Sequence, residues 1–147
     1  MSILGAYIIP DPLHPAIVHL PIALWLVSSL FLLLALWRPD FFMKAASWLL
    51  VIGTIGGIIS YYTGPNAIGV AAQIFPSSSL NEHLNTHRVL AQWSTITYIV
   101  TTIGVFSYLF WKKNKYLKIS LAVLGVIGGL LVFFTGHYAG RMLYEDL

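Results

Sequence analysis

The chain reads as an all-α membrane protein, a four-transmembrane-helix up-and-down bundle made of two repeated helical hairpins. Three observations lead there. Of its 147 residues 58% are hydrophobic and 9% charged, with a mean hydropathy of +0.80; an ordinary soluble domain is roughly a quarter charged. Four apolar runs, about 15–37, 44–63, 88–111 and 117–137, each come near the ~20 residues that a helix needs to cross a hydrocarbon core. The second and fourth runs also share an internal repeat. The length fits one four-helix transmembrane domain over 1–147. The absence of cysteine removes disulfides, thiolate metal sites, iron–sulfur clusters and covalently attached c-type haem. No nucleic-acid partner is expected.

The first span opens at His14 and His19, where Pro15 suits a first helical turn. No basic segment precedes it, and Leu13 to Trp37 is longer than a signal-peptide core, so the span is expected to be retained. Arg38, Asp40 and Lys44 lie in the turn to the second span. The 64–82 segment, with Gly64, Pro65, Gly69, Pro76 and Ser77 to Ser79, suits a short interfacial helix and loop lying over the outer end. Because Pro76 and the serines delay the third helix, His83 is expected in a loop or at the interface. Lys112, Lys113, Lys115 and Lys118 separate the third and fourth spans, and His137 closes the fourth.

Six of the eight Lys and Arg residues occupy the two short turns, while the other side holds only Arg88 and Arg141 with Asp11, Glu82, Glu145 and Asp146. The positive-inside rule then places the short turns in the cytoplasm of a bacterial-type inner membrane. Both termini and the 64–87 segment face the periplasm or exterior. Trp37, Trp111 and Tyr116 fit an aromatic belt on the cytoplasmic side.

The repeat is Gly53-x-x-Gly56-Gly57-x-x-x-Tyr61-Tyr62-Thr63-Gly64 against Gly125-x-x-Gly128-Gly129-x-x-x-Phe133-Phe134-Thr135-Gly136, 72 residues later. The first and third spans match through paired outer histidines. Two parallel hairpins about an axis along the membrane normal are implied. Small residues at this spacing let helices approach closely in lipid. Equally, Gly56, Gly57, Gly128 and Gly129 can clear space for a flat ligand.

All five histidines fall at one end of the spans. Imidazole is the commonest metal ligand and carries protons near neutral pH, and ionisable groups at membrane depth point to function. In an up-and-down bundle the first and third helices lie diagonally. His19 and His87, each about a turn inside its helix, are expected to hold one haem b iron from two sides, with the macrocycle edge towards the glycine spans. Arg88 and Arg141 are placed for the propionates. His14 and His137 are candidates for a second bis-histidine haem, or for copper or zinc. Glu82 and Asp11 are possible proton acceptors for quinol chemistry but read more simply as solvated loop acids.

The run Leu13-His14-Pro15-Ala16-Ile17-Val18-His19-Leu20-Pro21-Ile22-Ala23-Leu24 resembles the start of a four-helix membrane family labelled domain of unknown function 2231. The close, Thr135-Gly136-His137-Tyr138-Ala139-Gly140-Arg141-Met142-Leu143-Tyr144-Glu145, is similar to that family's T-G-H-x-G-G-x-L-V-Y-E. The likeness covers nearly the whole chain and departs at Ala139, where the family has glycine, and after Tyr144, where its next glycine is missing. It implies that His14, His19, His87 and His137 are family positions while His83 is not. Its members' frequent association with cytochrome-like modules implies electron transfer.

The expectation is therefore an electron-transfer subunit rather than a stand-alone enzyme, carrying one or two bis-histidine haems b at the outer face. Expected partners are membrane lipid, a periplasmic or extracellular cytochrome or quinol, and an oligomer or larger complex. The alternative is a subunit whose histidines bind a non-haem metal or protons, or an assembly protein that docks by its histidine end. The apolar cytoplasmic half of the first span, Leu30 to Leu36, argues against permeation through one protomer.

Overall fold

A computed structural model describes residues 11–74, 80–111 and 114–144. Its helices are α1 (His14–Ile17), α2 (His19–Leu34), α3 (Pro39–Ile74), α4 (Leu80–Phe110) and α5 (Lys115–Tyr144), with no strand among the described residues. Four stretches are long and apolar enough to cross a membrane: His14–Leu34, Pro39–Val70, Glu82–Phe110 and Lys115–Met142. Helices suit that setting because they satisfy every backbone group internally. The protein is an all-α membrane protein.

Two prolines mark the histidine end. Pro21 has no N–H for the carbonyl of Ile17, and the ladder loosens around it: the bond from Ile22 N–H to the Val18 carbonyl is 3.4 Å long. Val18 separates α1 from α2 yet keeps helical dihedrals, φ −62° and ψ −29°, so the two pieces form one crossing. Pro65 lies inside α3, which continues to Ile74. The 64–82 segment is thus largely helical, with α3 extended at one side and α4 starting by Leu80 at the other. Ala67, Ile68, Val70 and Ala72 carry the helix on after Pro65. A proline is tolerated within a membrane helix when its surroundings re-satisfy the freed carbonyl. Pro76 and Ser77 to Ser79 lie outside the described residues.

α2 packs on α3 and α4 on α5, and the α3–α4 and α2–α5 seams close the ring. Diagonally opposed α2 and α4 meet on the axis through Trp25 and Tyr98, whose rings stack at 4.5 Å and 4°. The Tyr98 hydroxyl donates to the Trp25 carbonyl at 3.3 Å and lies 2.8 Å from Ser29 Oγ. Thr54 and Thr102 hydroxyls pair across the α3–α4 seam at 3.0 Å.

Burial reveals the repeat more fully than the motif does. Pro21, Trp25, Ser28, Leu32 and Ala35 are buried, and so are Ser94, Tyr98, Thr101, Val105 and Tyr108, each 73 residues on. Ala46, Leu50, Gly53 and Gly57 of α3 are matched by buried Leu121, Gly125, Gly128 and Val132 of α5, 75 residues on. The two hairpins are therefore equivalent, but in α3 and α5 the spatial register is 75 and not the motif's 72. Ala46 follows Ala35 by 11 residues and Leu121 follows Tyr108 by 13, and these two extra residues shift the register of α5 by that amount relative to α4.

Candidate functional site at the histidine end

His14 sits on the inner face of α1, half-buried, with Nδ1 2.8 Å from the Ser60 carbonyl oxygen of α3. His87 sits on the inner face of α4, half-buried, with Nδ1 2.9 Å from the Thr135 carbonyl oxygen of α5. A carbonyl only accepts, so each Nδ1–H donates and each neutral ring keeps its Nε2 lone pair. His14 and His87 are 73 residues apart, and Ser60 and Thr135 are 75 apart, the two registers of the repeat. The arrangement is one interaction built twice about the bundle axis.

The residue brought opposite His87 is thus His14, and not His19. His19 is exposed, and its equivalent, Gln92, is exposed as well. Helical phase is the reason. His14 lies eleven residues from Trp25, three turns with ~20° left over, whereas His19 lies six residues away and ~120° off the core direction. His137 is exposed on α5, beside Tyr138 with ring centroids 5.7 Å apart. His83, expected in a loop or at the interface, is instead inside α4, 5% exposed, with its ring 5.9 Å from that of Tyr138. Its one signal was the i, i+4 spacing to His87, which puts both on one helix face.

Arg88 is exposed, and Arg141 lies over the Tyr138 ring at 5.8 Å. The glycines chiefly serve helix packing. A Cβ on Gly57 would overlap the Trp25 ring, one on Gly128 would stand 2.8 Å from Tyr98 Cζ, and one on Gly56 3.4 Å from Pro21. Gly129 faces Ser29 and Leu26 at 3.9 and 4.0 Å. The flat groups seated on Gly57 and Gly128 are the chain's own Trp25 and Tyr98. Asp11 and Glu82 are exposed, and the described residues hold no cluster of three or more His, Asp or Glu side chains suited to a metal.

The terminal histidine motifs and the four spans have a counterpart among known families: residues 10–147 match a profile described as a predicted membrane protein, domain of unknown function 2231. The chain belongs to the DUF2231 family. Neither a curated protein nor a solved structure matches it. What this DUF2231 protein offers chemically is a pair of imidazoles on one axis, each oriented by a backbone carbonyl. An Nδ1–H bonded in this way fixes the tautomer and raises the basicity of Nε2, the usual support of a metal-ligating histidine. The same Nε2 atoms can accept protons.

Proposed function

We propose that this DUF2231 protein is a haem b-binding electron-transfer subunit whose iron is held by His14 and His87. The observation that carries the reading is the pair of equivalent Nδ1–H to carbonyl bonds, on Ser60 and Thr135, which leave both Nε2 atoms available from diagonally opposed helices. A haem iron would be held by His14 and His87, two nitrogen donors on helices related by an approximate twofold axis. Zinc sites ordinarily recruit three or four protein ligands, and among the described residues no third His, Asp or Glu completes such a set. The donor chemistry of the two imidazoles is what supports a haem here.

Within this reading the chain's parts have distinct tasks. His14 and His87 bind, the carbonyls of Ser60 and Thr135 orient them, and Trp25 and Tyr98 fill the axis on the side towards the lysine-rich turns. Arg88 and Arg141 are the cations of this end, available to carboxylates. The haem, when bound, supplies one-electron ferric–ferrous chemistry tuned by its axial ligands and surroundings. Since His19 and His137 are exposed and off the axis, the reading gives one haem per chain. By the charge asymmetry of the turns, the site faces the periplasm or exterior of an inner membrane. There it meets a soluble cytochrome or membrane quinol, as part of a larger assembly.

The test is a reduced-minus-oxidised spectrum of the detergent-purified protein, with pyridine extraction to count haem. Bis-histidine α and Soret bands at one haem per chain are expected. His14→Ala and His87→Ala should each abolish them, while His19→Ala and His137→Ala should leave them. A protein that stays colourless after haem supplementation during expression overturns the reading.

A further inference from the structure

The two imidazoles make like bonds but ride on unlike helices. His87 lies inside α4, a continuous helix of 31 residues, with buried His83 one turn outward and buried Ser94 two turns inward. Beneath its anchor the Thr135 hydroxyl donates to the Leu131 carbonyl and meets the Ser94 hydroxyl at 3.4 Å. His14 opens α1, which has four residues, buries none of them and has no side-chain cap at Leu13. The Ser60 carbonyl that holds His14 also accepts from the Thr63 hydroxyl at 3.2 Å, and a shared acceptor holds each donor less firmly. Where the second hairpin has Ser94 the first has Pro21, which supplies neither an N–H nor a hydroxyl. The stretched 3.4 Å bond from Ile22 to Val18 joins α1 to the rest of its crossing. A segment with few buried contacts opens at low cost.

A second difference lies just inside His14. Positions 57, 60 and 64 share one face of α3. A Cβ on Gly57 would meet Trp25 and one on Gly64 would meet His14, so Ser60 stands between those two layers. Ser60 is 5% exposed, and its hydroxyl has no hydrogen-bond partner among the described residues. Its counterpart Thr135 spends the same hydroxyl on its own helix. A buried donor without a partner is costly, and here it stands beside the less firmly held of the two histidines.

We propose that His14 is the exchangeable member of the pair: α1 swings aside at Val18, and an uncharged diatomic of the carbon monoxide or nitric oxide class takes its place on ferrous haem, accepting a hydrogen bond from Ser60. The inference rests on the haem reading above. An uncharged diatomic reaches the site through hydrocarbon, which an anion does not readily enter. The exchange moves no proton and no electron: His14 Nε2 gives up its bond to iron, the ligand forms one, and His87 stays. Hydrogen-bond donors and steric access on the open side of a haem decide what binds there.

The experiment titrates carbon monoxide into the dithionite-reduced full-length protein in detergent, read by the Soret band and, on the same samples, by the C–O stretch in the infrared. Saturation at one carbon monoxide per haem is expected. Pro21→Ser copies the second hairpin, restores the missing N–H and offers Ser60 a partner. By making the swung-out state rarer it should weaken binding about tenfold or more, with the bis-histidine bands unchanged. Ser60→Ala should raise the C–O stretch, because a donated hydrogen bond lowers it, whereas Ser94→Ala, on the His87 side, should leave it in place. Deuterium exchange, which needs no haem, should exchange the amides of residues 16–18 at least about tenfold faster than those of residues 85–90. Haem bands without carbon monoxide binding, a stretch that follows Ser94 and not Ser60, or equal exchange of the two segments overturns the proposal and leaves the haem reading standing. A colourless protein removes the haem reading and the diatomic ligand with it.

Discussion

The first hairpin, α1 to α3, and the second, α4 and α5, bury the same positions with different side chains. In the first, the wide ring of Trp25 lies across two glycines, Gly53 and Gly57. In the second, the smaller ring of Tyr98 lies on Gly128, and a valine, Val132, stands where the first hairpin has Gly57. The repeat therefore conserves the volume packed around the axis rather than the residues that supply it, as a close-packed interior demands. Polar detail is divided unequally too. Tyr98 uses its hydroxyl twice, on Ser29 and on the Trp25 carbonyl, while the buried Trp25 Nε1 has no hydrogen-bond partner.

The most damaging single change should be Gly57→Val, which gives the first hairpin the second one's residue. Its Cβ would overlap the Trp25 ring, and that ring cannot retreat because Tyr98 stacks on its other face at 4.5 Å. A loss of about 3 kcal/mol is expected, the upper end for overpacking, read by unfolding in mixed micelles. Adding Trp25→Tyr should recover at least about 1 kcal/mol of that, a coupling that contacting sites show. Equal and additive losses would break the volume comparison.

Next in size is Tyr98→Phe. It leaves the buried Ser29 hydroxyl without the partner now 2.8 Å away, at a cost of about 1–2 kcal/mol. Replacing the Trp25 N–H by sulfur, as benzothienylalanine, should cost nothing, because that N–H makes no bond to lose. If the two changes cost the same, the hydroxyl is not what distinguishes the rings.

How far the sequence carries these conclusions depends on which physical signal each one needs. Hydropathy is a sum over twenty residues, so the four spans and the membrane class are legible without any detail of packing. The 64–82 segment was harder, because Gly64 and Pro65 are breakers in water and α3 nevertheless runs through them to Ile74. The glycine motif identified two related helices but at 72 residues, since like residues were matched. The spatial register of 75 follows from two more residues between Tyr108 and Leu121 than between Ala35 and Ala46, which no motif records. The same distinction governs the histidines. Depth alone suggested His19 for His87; phase, counted from buried Trp25 and Tyr98, selects His14. Counting from a core residue was possible in principle, but Trp25 and Tyr98 had to be recognised as the axis first.

The smallest effect tests the axis itself. Gly64 lies beside His14, and an added Cβ would stand 3.7 Å from its Cε1 and Nδ1, an ordinary contact. In the 75-residue register Gly64 corresponds to Ala139, which already carries that methyl in the second hairpin. Gly64→Ala therefore makes the two hairpins more alike around their histidines. Helix propensity favours alanine by up to about 1 kcal/mol. The following Pro65 opposes it, since a Cβ before proline crowds the ring in helical geometry. The net change should stay below about 1 kcal/mol in either direction, and the haem spectrum of a His14–His87 pair should be unaltered. Gly64→Leu cannot be absorbed in this way; it should push His14 off the Ser60 carbonyl and shift or abolish the spectrum while His87 keeps its bond to Thr135. Loss of the spectrum already with alanine would mean that the two histidines are not held alike, and that the symmetry seen in burial stops short of the site.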